Sequence, residues 1–171
     1  AGGSISGGDI TITEPDAALS DAFANDPDFA ILTSFPALIL RAGVAPTATM
    51  PLPDGFASTT PASSPANITV GEITTASETG LGGPAILSAT GAIATGNIIT
   101  FSATEPGGTI NLGAQGNITA DSLISGGGDI IARSIDGAIA TGDINAASLE
   151  TGGNVTVEAG DRLQTGAIDT S

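Results

Sequence analysis

The chain has no cysteine, histidine, tryptophan or tyrosine. It has no lysine either, so its three basic residues are Arg41, Arg133 and Arg162. Each absence removes a class of chemistry. Without imidazole, thiol or amine there is no histidine base, thiolate nucleophile, Schiff base or zinc site built on nitrogen and sulfur. Three arginines against 18 acidic residues leave a formal charge of −15. Nucleic acid would be repelled, because phosphate binding needs many cations. The lack of cysteine leaves the redox compartment open.

The residues that are present point to a folded, β-prone domain. High net charge goes with disorder only when apolar residues are scarce. Here they make up 40% of the 171 residues, and only 12% are charged. Isoleucine, alanine, threonine and glycine dominate, which suits strands with a narrow core. The length fits one domain, 1–171. Its start at Ala1 rather than Met suggests a processed or excised segment. The longest apolar stretch, about Phe29 to Ala45, is broken by Pro36 and Arg41 and is too short to span a bilayer.

Composition divides the chain. Eight of the ten prolines and four of the five phenylalanines lie within 14–65, where only Gly43 and Gly55 are glycine. Residues 14–65 therefore read as a Pro/Phe-rich insertion, 1–13 as the first strands of the domain, and 66–171 as its regular part. Within the insertion, Phe29–Thr33 and Ala37–Leu40 are candidate strands. Residues 17–24 are a candidate short helix ended by Pro27, and Ala45–Pro65 reads as extended linker. The insertion is expected to pack beside the rest, because a structureless loop of that length is rare in a compact domain.

The regular part repeats. GAIATG occurs at 91–96 and again at 137–142. Apolar pairs five residues apart recur as Ile68/Ile73, Ile93/Ile98, Ile118/Leu123, Ile139/Ile144 and Leu163/Ile168, in steps of 25, 25, 21 and 24 residues. Two residues before each second member stands Gly71, Gly96, Asp121, Gly142 or Gly166. Eight, six and four residues before each first member comes a period-two strand: Ala85/Leu87/Ala89, Ile110/Leu112/Ala114, Ile131/Arg133/Ile135 and Val155/Val157/Ala159. Glycine clusters open these strands. A weaker register carries Ser77, Ser102 and Ser148, with Gly127 in the third slot.

Units of 21–25 residues with such short strands bury no face alone, but stacked units do. The spacing predicts an all-β, right-handed parallel β-helix (β-solenoid) of about five coils, stacked about 4.8 Å apart with aliphatic ladders inside. A β-sandwich would leave the fixed offsets unexplained. Arg133 is the misfit, because the register points it inward. Either a local slip turns it out, or it pairs with a carboxylate such as Asp136.

Several of these units, ANITVGEITTAS at 66–77, GAIATGNI at 91–98 and GNITADSL at 116–123, resemble repeats of filamentous-haemagglutinin-like proteins, the two-partner-secretion type. The closest likeness is to cyanobacterial members, which ILTSFPALILRAG at 31–43 also resembles. The resemblance covers most of the chain. It implies a right-handed parallel β-helix, secretion, and an extracellular or cell-surface role in adhesion or envelope structure. No functional residue carries over from it.

The chemical candidates have simpler readings. The carboxylate pairs Glu14/Asp16, Asp26/Asp28 and Asp136/Asp143 sit at turns, where acids are ordinary. Gly126-Gly127-Gly128-Asp129 matches part of a calcium-binding nonapeptide but lacks its tandem period. Calcium is thus the one weakly suggested cofactor. The N-x-T triplets at Asn67, Asn117 and Asn154 fit the repeat itself, with Asn at a turn and Ile inward. Two threonine-containing rows taken as outward, Thr69/Ala94/Thr119/Ala140/Gln164 and Val70/Thr95/Ala120/Thr141/Thr165, are too mixed for an ice-binding array. The expectation is therefore a non-enzymatic structural or adhesive segment with no catalytic, cofactor or metal residues. Its expected partners are further copies of the chain joined end to end, the continuation of a longer chain, or a cell-surface glycan. The alternative is a carbohydrate-binding or calcium-dependent adhesin module.

Overall fold

A computed structural model describes residues 3–13, 36–43, 65–78, 80–104 and 106–171. The described residues are all strand, turn and loop, with no helix and so none able to cross a membrane. In chain order the strands are β1 (Ile5–Ser6), β2 (Ile10–Thr11), β3 (Leu38–Ala42), β4 (Ile68–Thr69), β5 (Ile73–Thr74), β6 (Ala85–Ala89), β7 (Ile93–Ala94), β8 (Ile98–Ile99) and β9 (Ile110–Ala114). They continue as β10 (Ile118–Ala120), β11 (Leu123–Ile124), β12 (Ile130–Ser134), β13 (Ile139–Thr141), β14 (Ile144–Asn145), β15 (Val155–Ala159), β16 (Leu163–Gln164) and β17 (Ile168–Asp169).

Every pairing is parallel, and each strand pairs with its copy one repeat away. The first sheet runs β1-β4-β7-β10-β13-β16, the second β2-β5-β8-β11-β14-β17, and the third β3-β6-β9-β12-β15. This is the stacking of a parallel β-solenoid. The apolar pairs read from the sequence become two ladders. First members align as Ile5, Ile68, Ile93, Ile118, Ile139 and Leu163. Second members align as Ile10, Ile73, Ile98, Leu123, Ile144 and Ile168. With Leu87, Ile110, Leu112 and Ile130 from the third sheet, the inner rungs are fully buried. Each such side chain contributes about 2 kcal/mol by leaving water.

The structure gives the first strands, 1–13, their register and corrects the reading of the insertion. Ile5 and Ile10 form the first apolar pair, with Gly8 two residues before the second member. The range 14–65 is not one insertion lying beside the column. Leu38, Leu40 and Ala42 align with Ala85, Leu87 and Ala89, so β3 is itself a rung of the third sheet. The candidate strand Ala37–Leu40 is thus Leu38–Ala42. A search at fixed offsets misses it, because 25 residues separate Ala42 from Ile68 where three separate Ala89 from Ile93. The other proposed elements of that range, Phe29–Thr33, the helix at 17–24 and nearly all of the 45–65 linker, lie outside the described residues.

Arg133 follows the first of its two readings, a local slip that turns it out. Strand β12 buries Ile130, Ala132 and Ser134, aligned with Ile110, Leu112 and Ala114. The expected inward set Ile131/Arg133/Ile135 is displaced by one. An extra corner residue before Ile139 absorbs the slip: four residues lie between Ser134 and Ile139, against three between Ala114 and Ile118. Arg133 therefore faces out. Its Nε bonds Glu158 of β15 at 3.0 Å, not Asp136.

Corners are held by side chains that address the next coil. Asn67 Oδ1 accepts the Ala92 N–H at 2.8 Å, and Asn117 Oδ1 accepts that of Ala138 at 2.9 Å. The same pattern gives Asp9 to Glu72 and Asp143 to Ala167. These bonds satisfy backbone donors at the bends, where the sheet ladder is interrupted. Inside the column, Thr75 and Thr100 donate to the carbonyls of Gly83 and Gly108 at 2.6 and 2.5 Å, and Ser125 donates likewise to Gly128. These buried hydroxyls tie the end of the second sheet to the start of the third.

Candidate functional site

The column is uneven on one side, between its second and third sheets. From the second-sheet residue to the first residue of the following strand, the chain takes 12 residues (Ile73 to Ala85), 12 (Ile98 to Ile110), 7 (Leu123 to Ile130) and 11 (Ile144 to Val155). The third connection is only a tight turn through Gly126 and Gly127, whose φ values of 60° and 103° favour glycine. The longer connections on either side stand out beyond it. Between them lies an open notch of about 560 Å³.

Gly126 and Phe101 form its base, with Thr104 and Pro106 on one side and Leu149 and Glu150 on the other. A methyl group on Gly126 would come within 2.8 Å of Phe101 Cδ2, so the absent side chain makes room for the ring. Phe101 is 48% exposed and Leu149 is fully exposed. Short polar bonds hold the walls. Ser102 Oγ donates to Gly80 O at 2.6 Å, Asn145 Oδ1 accepts the Ala147 N–H at 2.9 Å, and Ser148 N–H donates to Ser171 O at 3.1 Å.

Chemically the notch offers one aromatic face, one aliphatic side chain, hydroxyls and one described carboxylate, Glu150. Among the described residues its lining holds no pair of carboxylates. It can hold a neutral or cationic ligand with one apolar face. Sequence reading produced no site residue here. Two signals were present: the 21-residue step of the third repeat, and Phe101 as the only phenylalanine outside 14–65.

The other candidates are structurally occupied. Asp143 is committed to the Ala167 N–H, and Asp136 sits in the corner whose N–H bonds Gln115 O. Glu14/Asp16 and Asp26/Asp28 lie outside the described residues. Asp129 of the glycine-rich turn accepts the backbone N–H and side-chain amide of Asn154 at 2.8 and 3.2 Å. Among the described residues no group of three acidic side chains could hold a metal. Asn67 and Asn117 are spent on corner bonds. The row Thr69/Ala94/Thr119/Ala140/Gln164 does align on the first sheet. The second row does not face out: Val70, Thr95, Ala120 and Thr141 are buried. The serine register is a small-residue ladder, with a bridge between Ser77 and Ser102. At the last rung, hydrogen bonds from the Ser171 N–H and hydroxyl hold the exposed Asp169 carboxyl below its ordinary pKa.

No protein-family model, curated protein or solved structure matches this chain.

Proposed function

We propose that the chain is a non-enzymatic structural or adhesive segment of a secreted or cell-surface protein, and that its column is a right-handed β-helix with five 21–25-residue coils in 66–171. Right-handedness follows from the strong bias of parallel crossovers. Rigidity is the mechanism, since stacked ladders make a stiff rod and a charge of −15 keeps rods apart. The resemblance to filamentous-haemagglutinin-like repeats supports the extracellular setting.

One observation carries the assembly part of this reading. At the far end of the column Leu163 and Ile168, inward members of their ladders, are 49% and 52% exposed. A rung of this kind is covered by the next coil, whether it comes from the continuation of a longer chain or from a second copy joined end to end. Negative-stain microscopy and sedimentation across a concentration series test it. Growing rods are expected, and monodisperse short particles at high concentration would overturn filament formation.

The notch favours a second reading, carbohydrate binding, because the half-exposed Phe101 ring offers an apolar face to a sugar. A glycan array should then show saturable binding that Phe101→Ala abolishes. Uniform background would reject it.

A further inference from the structure

The notch between the second and third sheets has a charge character that narrows its ligand. Its base and both walls lie inside the column, between Ile98 and Val155. A volume of about 560 Å³ falls within the range of small-ligand pockets, about 300–1,000 Å³. Among the described lining residues there is one charged group, the Glu150 carboxylate, and no cation. The three arginines lie elsewhere: Arg41 and Arg133 on the third sheet, and Arg162 in the corner before β16. With the chain at −15, an anionic ligand meets like charge both at a distance and at the site.

Glu150 differs from several other carboxylates in being uncommitted. Glu158 pairs with Arg133, Asp129 accepts two bonds from Asn154, and Asp143 accepts the Ala167 N–H. The Glu150 carboxylate has no hydrogen-bond or ion-pair partner among the described residues. Its backbone is nevertheless held, because the Glu150 N–H donates to Ser148 Oγ at 3.3 Å. Phe101 is the second element. Its ring packs against Gly126 and stays 48% exposed. An aromatic face and an unpaired carboxylate share one preference, an organic cation. Asn145 Nδ2 and the Thr104 hydroxyl, which have no partner among the described residues, are left to meet neutral hydroxyl groups.

We propose that the notch selects amino sugars with a free, protonated amine, as in a glucosamine oligomer, over N-acetylated and acidic sugars. The inference rests on the carbohydrate reading of the notch and names its ligand class. Glu150 takes the ammonium group, and Phe101 takes the C–H face of the ring that carries it. N-acetylation removes the positive charge and leaves the carboxylate unpaired. A uronic acid brings a second negative charge to the only one present. One exposed ion pair and one cation–aromatic contact together supply a preference of about tenfold.

The test titrates the whole protein by calorimetry with a glucosamine trimer, its N-acetylated twin, a glucuronate-containing trisaccharide and trilysine. NMR shifts locate the site. The glucosamine trimer should bind about tenfold more tightly than its twin and shift Phe101, Gly126 and Glu150. The ratio should fall toward one at high salt, and also when pH is raised above the pKa of the sugar amine. Glu150→Gln should bring the ratio to about one. Glu158→Gln removes the same charge elsewhere and should leave the ratio at about ten. Phe101→Ala should abolish binding of both trimers. Equal or tighter binding of the N-acetylated trimer overturns the inference and keeps the carbohydrate reading, as does tighter binding of the acidic sugar. Trilysine binding at the same residues as tightly as the glucosamine trimer would show a site for charge alone and overturn it too. Binding of no sugar rejects both readings. If Phe101→Ala fails to fold by circular dichroism, the sugar pair and Glu150→Gln decide.

Discussion

Glycines in the column differ in a way that one substitution type separates. Gly83, Gly108, Gly128 and Gly153 stack as a ladder at the entry to the third sheet. A methyl group on Gly108 would overlap the Gly83 carbonyl and come within 2.7 Å of Pro84 N. Both obstacles are backbone of the neighbouring coil, which moves only if the coils separate. Shifting Gly108 away from that backbone within its own coil would break its N–H bond to Thr100 O at 2.8 Å and the Thr100 hydroxyl bond to Gly108 O at 2.5 Å. It would also strain the neighbouring ladder bond from Ala85 N–H to Thr109 O. Two to three buried bonds at about 1 kcal/mol each, plus overpacking of about 1–3 kcal/mol, give a loss of about 3–5 kcal/mol for Gly108→Ala. Gly8 has the opposite surroundings, with nothing within 4 Å of a methyl group there and no positive φ. Gly8→Ala should be neutral or stabilising by up to about 1 kcal/mol, because alanine narrows the unfolded ensemble. Urea unfolding followed by circular dichroism reads both. At a slope of about 2 kcal/mol per molar, the Gly108→Ala midpoint falls by about 1.5–2.5 M and that of Gly8→Ala does not fall. Equal midpoints for the two variants would refute the claim that glycine is required there by backbone contact.

Three further outcomes are expected. Leu112→Ala, at a fully buried rung, should cost about 2–5 kcal/mol, and Leu163→Ala, 49% exposed, under half of that by the same assay; similar losses would mean the last rung is covered. Removing the Arg133–Glu158 pair by Glu158→Gln should change stability by less than about 1 kcal/mol, because both side chains are largely exposed; a larger loss would show an ion pair that matters beyond the surface. Asp169 titrates below its ordinary value of 3.8 in the folded chain, so its contribution is present above that pH and lost as pH falls through the folded value. An NMR titration finding its midpoint at or above 3.8 would reject the Ser171 hydrogen bonds. Light scattering should also rise as pH approaches 4.1, where net charge and mutual repulsion vanish.

Much of the column could be read from spacing, because stacking copies every inward position one coil above the last. The Ile/Leu pairs and the Gly71/Gly96/Gly142 corners needed only counting. Arg133 marked its own irregularity, since a guanidinium in an aliphatic register is a contradiction that a one-residue slip resolves. Strand β3 was hidden because its offset to the next rung is 22 residues longer than in the coil that follows. A period is visible only where nothing interrupts it. The notch was hidden for a different reason. Phe101, Gly126 and Leu149 come from three successive repeats, and no short motif spans them.

The sequence by itself determined that this chain is a stacked β structure with aliphatic ladders and little acid–base or cationic chemistry. Those properties follow from residue type and period, which local geometry translates directly into faces. Tertiary structure alone decided which way Arg133 points, that Leu38–Ala42 is a rung, and where the short third turn opens a notch. Each of these depends on the level at which one coil meets the next. That level is set by how many residues each corner absorbs, and the identity of the residues leaves it open.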